Sequence, residues 1–252
     1  LETRDVRLIS SAGYPLRARL TRPVGAGRLP GVVISPAIHQ GVAELETSQS
    51  AVTAAEVARL GYAVLTHDPA GRGESWGEED FGGPEQQDDV RAAIASLLET
   101  PGVSSVGVLS LSYGVVAAVG ALSRAGSDLP VRWLVDWEGP SDREIITTGG
   151  TRLVPAAGHT LDDDAYWRPR EPARHLSRLR CGYVRLQAWP DHAQPNELRH
   201  ADRMLEAAAS GELPWFQVND HPRGERPLRP TWIGSGPGAA NRAILGKLAE
   251  LR

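Results

Sequence analysis

The sequence predicts an α/β fold: a doubly wound, mostly parallel eight-stranded sheet. Three observations predict it. Short β-rich runs alternate with helical runs along the chain, the rhythm of strand–helix–strand units. The inner β-rich runs are almost wholly apolar, as strands covered on both faces must be. One of them, Val106-Gly107-Val108-Leu109-Ser110-Leu111, passes through a single serine, Ser112, into the helix-forming run Gly114-Val115-Val116-Ala117-Ala118.

The elements follow in order. Val6 to Ser10 and Leu16 to Thr21 alternate polar and apolar residues around Ala12-Gly13-Tyr14-Pro15, which reads as an antiparallel hairpin. Gly31 to Pro36 is a buried-type strand, Ser48 to Leu60 a helix stopped by Gly61, and Tyr62 to Asp68 the next strand. Pro84 to Glu99 is a helix with proline at its start and acids in its first turns. The Ser112 strand follows, with a helix to about Arg124. Val131 to Trp137 and Tyr183 to Trp189 are further strands, Asn196 to Ala209 a helix, Trp215 to Asn219 the last strand and Gly238 to Leu251 a closing helix.

One stretch breaks the rhythm. Pro140 to Arg180 is polar and rich in proline and glycine, with Thr147-Thr148-Gly149-Gly150 and Asp162-Asp163-Asp164 inside it. A connection this long within a compact domain is expected to be a small cap or lid. The expected organisation is a single domain over 1–252 with a cap insertion at 140–180.

Composition narrows the function. A net charge of −4 gives no electrostatic reason to bind nucleic acid or an anionic membrane. No apolar run reaches bilayer length. The single cysteine, Cys181, cannot form an internal disulfide and reads as a packing residue. No signal peptide is visible, yet the chain opens at Leu1; localisation is left open between cytoplasm and export. Oligomeric state is equally open. His159 with Asp162-Asp163-Asp164 lacks the spacing of a calcium loop, and zinc-site and dinucleotide signatures are absent. No metal and no cofactor is expected.

A strand, one serine at a tight turn and a helix make the layout of a nucleophile elbow. A serine hydroxyl needs a base, and the base an orienting carboxylate, all reaching one strand-end face. His221 follows the Trp215 strand and Asp191 the Tyr183 strand, so Ser112, Asp191 and His221 are the expected set. Asp136 and Glu138, at the end of the Val131 strand, are rival acids; His221 has fewer serious rivals, His192 lying beside Asp191 and His200 on a helix.

With these residues, the chain resembles the α/β-hydrolase-fold serine hydrolases, a superfamily of esterases, dienelactone-hydrolase-like and prolyl-oligopeptidase-like enzymes. Ser35-Pro36-Ala37-Ile38-His39-Gln40-Gly41 stands where that family has its oxyanion loop. His67-Asp68-Pro69-Ala70-Gly71-Arg72-Gly73-Glu74-Ser75 resembles its D-x-x-G-x-G-x-S loop. Two departures are the Ser110 in place of the elbow glycine and an oxyanion loop lacking the usual His-Gly pair. The resemblance implies an acyl-enzyme on Ser112, with His221 as base, Asp191 as orienter, and the backbone N–H groups of Tyr113 and Ile38 (or His39) facing the oxyanion. It implies a small-molecule ester or acyl substrate. Amide, peptide or thioester cleavage on the same triad is the alternative, and a silent binding protein on the same fold is a third reading. His39, Trp76, Trp137 and Trp189 are candidate pocket residues.

Overall fold

The computed structural model describes residues 1–252 except 48, 126–128, 149–158, 228–230, 235 and 237. Its main sheet has eight strands: β1 (Glu2–Ile9), β2 (Pro15–Arg22), β3 (Leu29–Ser35), β4 (Ala63–His67), β5 (Val103–Leu111), β6 (Val131–Trp137), β7 (Gly182–Leu186) and β9 (Phe216–Val218). Their order is β1-β2-β4-β3-β5-β6-β7-β9. β1 and β2 are antiparallel, β2 joins β4 antiparallel, and every later pairing is parallel. Two short strands, β8 (Ala188–Trp189) and β10 (Ile233–Gly234), pair in parallel beyond the sheet.

Alternation along the strands loads both faces. On one, Val33, Val106, Val108 and Leu134 meet α3 (Pro84–Glu99), α4 (Gly114–Ala125) and α8 (Arg199–Ala209). On the other, Val32, Ile34, Leu109, Trp133 and Val184 meet α1 (Val42–Leu45), α2 (Ala54–Arg59) and α9 (Ala239–Leu251). That is the doubly wound arrangement expected from continuous apolar strands. Gly107 is needed because a Cβ there would lie 2.3 Å from the Trp133 indole on β6.

Two elements are shorter than the sequence suggests. The helix expected from 48 begins at Ala54, where Thr53 caps it by accepting from Glu56 N while Glu56 Oε2 accepts from Thr53 N; residue 48 lies outside the described residues. The strand expected from 183 to 189 is broken at Gln187, whose N–H donates to Asn219 Oδ1 at 2.9 Å instead of to a neighbouring strand.

Within 140–180 the described residues form three one-turn α-helices, α5 (Arg143–Ile146), α6 (Asp164–Trp167) and α7 (Pro172–His175), and two 3-10 turns, Arg168–Arg170 and Leu176–Arg178. Arg143 ties them together by donating to both Glu171 oxygens at 2.8 and 2.9 Å. Gly149 and Gly150 lie outside the described residues. Asp163 caps α6 and accepts from His159 Nδ1 at 2.6 Å, so the acidic turn serves as a helix start. No helix among the described residues is long and apolar enough to cross a membrane.

Candidate active site

Parallel register brings three strand ends to one level. Ser110 lies opposite Asp136, Leu111 opposite Trp137, and Trp137 opposite Leu186. The ladder continues one residue further: Ser112 N donates to Trp137 O at 2.8 Å and Glu138 N to Leu186 O at 3.1 Å. Ser112 and Glu138 then both turn out of the sheet at φ +49°. A non-glycine residue with positive φ costs on the order of 1–3 kcal/mol and is held only by its surroundings.

The turn after Ser112 needs glycine. A Cβ on Gly114 would lie 2.3 Å from the Ser35 carbonyl oxygen and 2.7 Å from that of Pro36. On the other side Ser110 is fully buried, and its hydroxyl donates to Val135 O at 3.3 Å, so serine fits where the family pattern has glycine.

Ser112 Oγ lies 2.9 Å from His192 Nε2, and His192 Nδ1 lies 2.6 Å from Glu138 Oε2. An ionised carboxylate only accepts, so Nδ1 carries the proton and Nε2 is left to accept from the serine hydroxyl. Glu138 is 3% exposed. Its other oxygen accepts from Ala188 N at 2.7 Å and Gln187 Nε2 at 3.4 Å. Burial works against a charge on His192, but the Glu138 hydrogen bond and charge outweigh it and raise the imidazole pKa above its ordinary value.

This corrects the expected set. The partner of Ser112 is His192 rather than His221, and the carboxylate on that histidine is Glu138 rather than Asp191. His221 Nε2 accepts from Thr231 N at 2.8 Å, and His221 N donates to Val218 O, which turns the chain back at the end of β9. β9 is the edge strand, three places from β5, or roughly 14 Å at ordinary strand spacing.

Asp191 is a staple for the loop that carries His192. Its Oδ1 accepts from Ala193 N and Gln194 N, both at 2.8 Å. Its Oδ2 accepts from Gln187 Nε2 at 2.8 Å and His200 Nε2 at 3.1 Å. Burial alone would raise its pKa; the His200 and Gln187 bonds reverse this and hold it well below the carboxylate range.

Asp136, the other rival acid, faces away from His192. It is fully buried, accepts from Tyr183 OH and Arg185 Nη1 at 2.7 Å each, and accepts from Gly139 N at 3.0 Å. Burial opposes the Arg185 charge, and Asp136 more than restores it. Arg185 also donates to Gln187 Oε1 at 2.6 Å, so Gln187 links this buried pair to both Glu138 and Asp191. Composition and periodicity carry no signal for Gln187 or Arg185. For Glu138 and His192 the signal was position alone, each just past a strand end.

Tyr113 N–H has no backbone acceptor among the described residues, and its side chain leads away to donate to Phe81 O at 2.9 Å. Ile38 is half-buried against the core and His39, at φ +59°, is exposed. Of the tryptophans, Trp76 is 67% and Trp189 46% exposed. Trp137 does not line the opening: its ring is buried in the apolar cluster beneath the sheet. The loop after β4 is stapled by Asp68, which accepts from Val42 N at 2.6 Å and Glu74 N at 2.9 Å. Among the described residues, Glu138, Asp191 and His192 stand close enough to share a cation, and each is engaged in the hydrogen bonds above.

The model of the X-Pro dipeptidyl-peptidase (S15 family) matches residues 12–151, more than half of the chain. No curated protein matches the sequence significantly. DcsB, in complex with its substrate analogue, aligns over 99% of this chain and 99% of its own with a TM-score of 0.70 at 12% identity. An esterase of Pyrococcus furiosus aligns over 99% of this chain and 91% of its own, with a TM-score of 0.70 at 14% identity. The acylaminoacyl peptidase of Pyrococcus horikoshii aligns over 98% of this chain but 40% of its own, with a TM-score of 0.70 at 16% identity. These likenesses give the fold as that of the α/β hydrolases, and with the family match running from β2 through the elbow and α4 to β6, the chain belongs to the X-Pro dipeptidyl-peptidase (S15 family) and is a hydrolase of the α/β-hydrolase type.

Proposed function

We propose that the protein cleaves a carboxylic ester of a small molecule through an acyl-enzyme on Ser112, with His192 as general base and Glu138 as its orienting acid. The observation that carries this reading is the continuous relay from Ser112 Oγ to His192 Nε2 at 2.9 Å and from His192 Nδ1 to Glu138 at 2.6 Å. Ser112 Oγ attacks the carbonyl carbon and its proton passes to His192 Nε2. Glu138 stabilises the resulting imidazolium. The N–H groups of Tyr113 and Ile38 hold the oxyanion of the tetrahedral intermediate. His192 then gives its proton to the departing alkoxide. Water, deprotonated by the same imidazole, releases the acid and restores the serine. Trp76 and Trp189 supply exposed apolar walls near the strand ends.

The family match favours a second reading, peptide-bond cleavage by the same relay. A peptidase that captures a free amino terminus needs a carboxylate to receive it. Among the described residues, four carboxylates are already engaged: Glu138 with His192, Asp191 with His200, Glu79 with Arg72 and Asp80 with Arg170. This supports the ester reading.

The test sets p-nitrophenyl esters from acetate to decanoate against Xaa-Pro p-nitroanilides, with a fluorophosphonate probe alongside. Ester turnover, with labelling that disappears in Ser112→Ala, is the expected result. Turnover confined to the anilides would favour the peptidase. A folded protein that neither turns over nor labels would return the fold to a binding role.

A further inference from the structure

We propose that Arg72 is a positioning residue for the oxyanion: it aims the Ile38 N–H by holding the carbonyl of the same peptide unit. This rests on the reading of Ile38 as an oxyanion donor.

The geometry begins with the guanidinium. Arg72 Nη1 donates to Ala37 O at 3.1 Å. Its Nε and Nη2 donate to the two oxygens of Glu79 at 2.5 and 3.0 Å, and Nη2 also reaches Gln86 Oε1 at 3.4 Å. Glu79 is fixed in turn, since Oε1 accepts from Phe81 N and Gln86 Nε2 at 2.7 Å each. Gln86 Nε2 also donates to Ala70 O at 2.9 Å. The Arg72 side chain is 9% exposed. A planar fork clamped on two sides presents its remaining edge in one direction.

That edge meets the Ala37–Ile38 peptide. The unit is trans, so Ala37 C=O and Ile38 N–H point in opposite directions across one rigid plane. A charged donor on the oxygen therefore fixes where the N–H points. It also polarises the amide, which strengthens the bond the N–H gives to an anion. The other donor to Ala37 O is the neutral Gln40 N–H of the local turn, at 3.1 Å. The loop is seated against the elbow independently: Ser35 Oγ donates to Gly114 O at 2.9 Å, and the Ser35 and Pro36 carbonyls lie against Gly114. Arg72 thus has a rotation to control rather than a loop to hold in place.

The experiment compares Arg72→Gln, Arg72→Lys and Glu79→Gln with wild type on the best p-nitrophenyl ester. It adds the inhibition constant of an aryl boronic acid, which forms a tetrahedral adduct on a nucleophilic serine. Arg72→Gln is expected to lower kcat about 10- to 100-fold, below the loss from deleting an oxyanion donor outright. KM should stay within about twofold, and the boronate constant should rise by the same factor as kcat/KM falls. Arg72→Lys keeps the charge but cannot fork, and should recover part of the rate. Glu79→Gln, which loosens the clamp, should fall between. If Arg72→Gln does not fold, the other two variants carry the test. Unchanged kcat and boronate affinity in the folded variants, with an active wild type, would overturn this proposal alone. A wild type that neither turns over ester nor takes the fluorophosphonate label would overturn the Ser112 and Ile38 reading along with it.

Discussion

Glu138 Oε2 and His192 Nδ1 stand 2.6 Å apart, joining the end of β6 to the loop beyond β8. The pair sets the pH range in which His192 can act. Burial lowers the imidazole pKa and Glu138 raises it by more, leaving it above the ordinary value of about 6.5. A base must be neutral to take a proton, so kcat/KM should rise with pH through a limb lying above 6.5. In Glu138→Gln burial is opposed only by the weaker pull of the Asp191 charge, and the limb should move below that of wild type. The rate on the plateau should fall on the order of 10²- to 10⁴-fold. A pH–rate profile of the two proteins checks this. A limb unmoved by the substitution would mean Glu138 does not govern His192.

The two candidate bases separate cleanly by substitution. His192→Ala and Ser112→Ala remove members of one relay and should each lower kcat by at least about 10³-fold, with little further loss when combined. Among the described residues, His221 Nε2 receives Thr231 N–H and lies outside the Ser112 relay. His221→Ala should therefore stay within about threefold of wild type. Steady-state kinetics on one ester reads all four proteins.

Ser112 and the sheet were legible because they are written locally. An apolar strand, a small turn and a small-residue helix leave few structural options, and Gly114 is forced by carbonyls that a Cβ would strike. The acid and base were not legible in the same way. Asp191 and His192 are neighbours in sequence, and Asp136 and Glu138 are two apart, so strand-end position cannot choose between them. The choice is made by side-chain direction. Asp136 shares the buried face with Tyr183 and Arg185, whereas Glu138 has left the ladder at φ +49°. Trp137 shows the same rule, since its place on the strand sends its ring into the core. Gln187 bonds three of these groups, Arg185, Glu138 and Asp191, and its role exists only after the strands are paired.

Asp191 should be a stability residue with an indirect effect on rate. Asparagine retains one acceptor for the Ala193 and Gln194 N–H groups, but sets an amide donor against the Gln187 and His200 donors. A loss of about 1–3 kcal/mol is expected for Asp191→Asn, with kcat lowered about tenfold through a looser His192. The sign with pH is fixed by the depressed pKa. Such a carboxylate contributes fully above its unfolded value of about 3.9 and loses the contribution only as pH falls through the lower folded value. Urea unfolding should therefore show the same penalty from pH 5 to pH 8. A penalty that varied across that range would place the effect elsewhere.

Asp89 should behave in the opposite way. It is fully buried on α3, accepts from Ala70 N at 2.8 Å, and leaves Oδ1 without a partner among the described residues. Burial pushes its pKa up to about 7. The folded state then holds a proton that the unfolded chain releases near pH 4, so this group makes stability fall as pH rises from about 4 to about 7. His67 acts against it: burial and Arg72 push its imidazole down to about 4, so its contribution makes stability rise with pH between about 4 and 6.5. Asp89→Asn keeps the Ala70 bond, removes the carboxylate and leaves the His67 trend unopposed. Relative to wild type it should gain on the order of 2–4 kcal/mol between pH 4 and pH 8, three pKa units at about 1.36 kcal/mol each being the ceiling. Near pH 4 it should be neutral or slightly weaker, because its amide replaces an unpartnered oxygen with unpartnered donors. Urea melts of both proteins at pH 4, 6 and 8 measure the difference, and a difference that stayed flat across that range would mean that Asp89 is ionised in the folded state throughout.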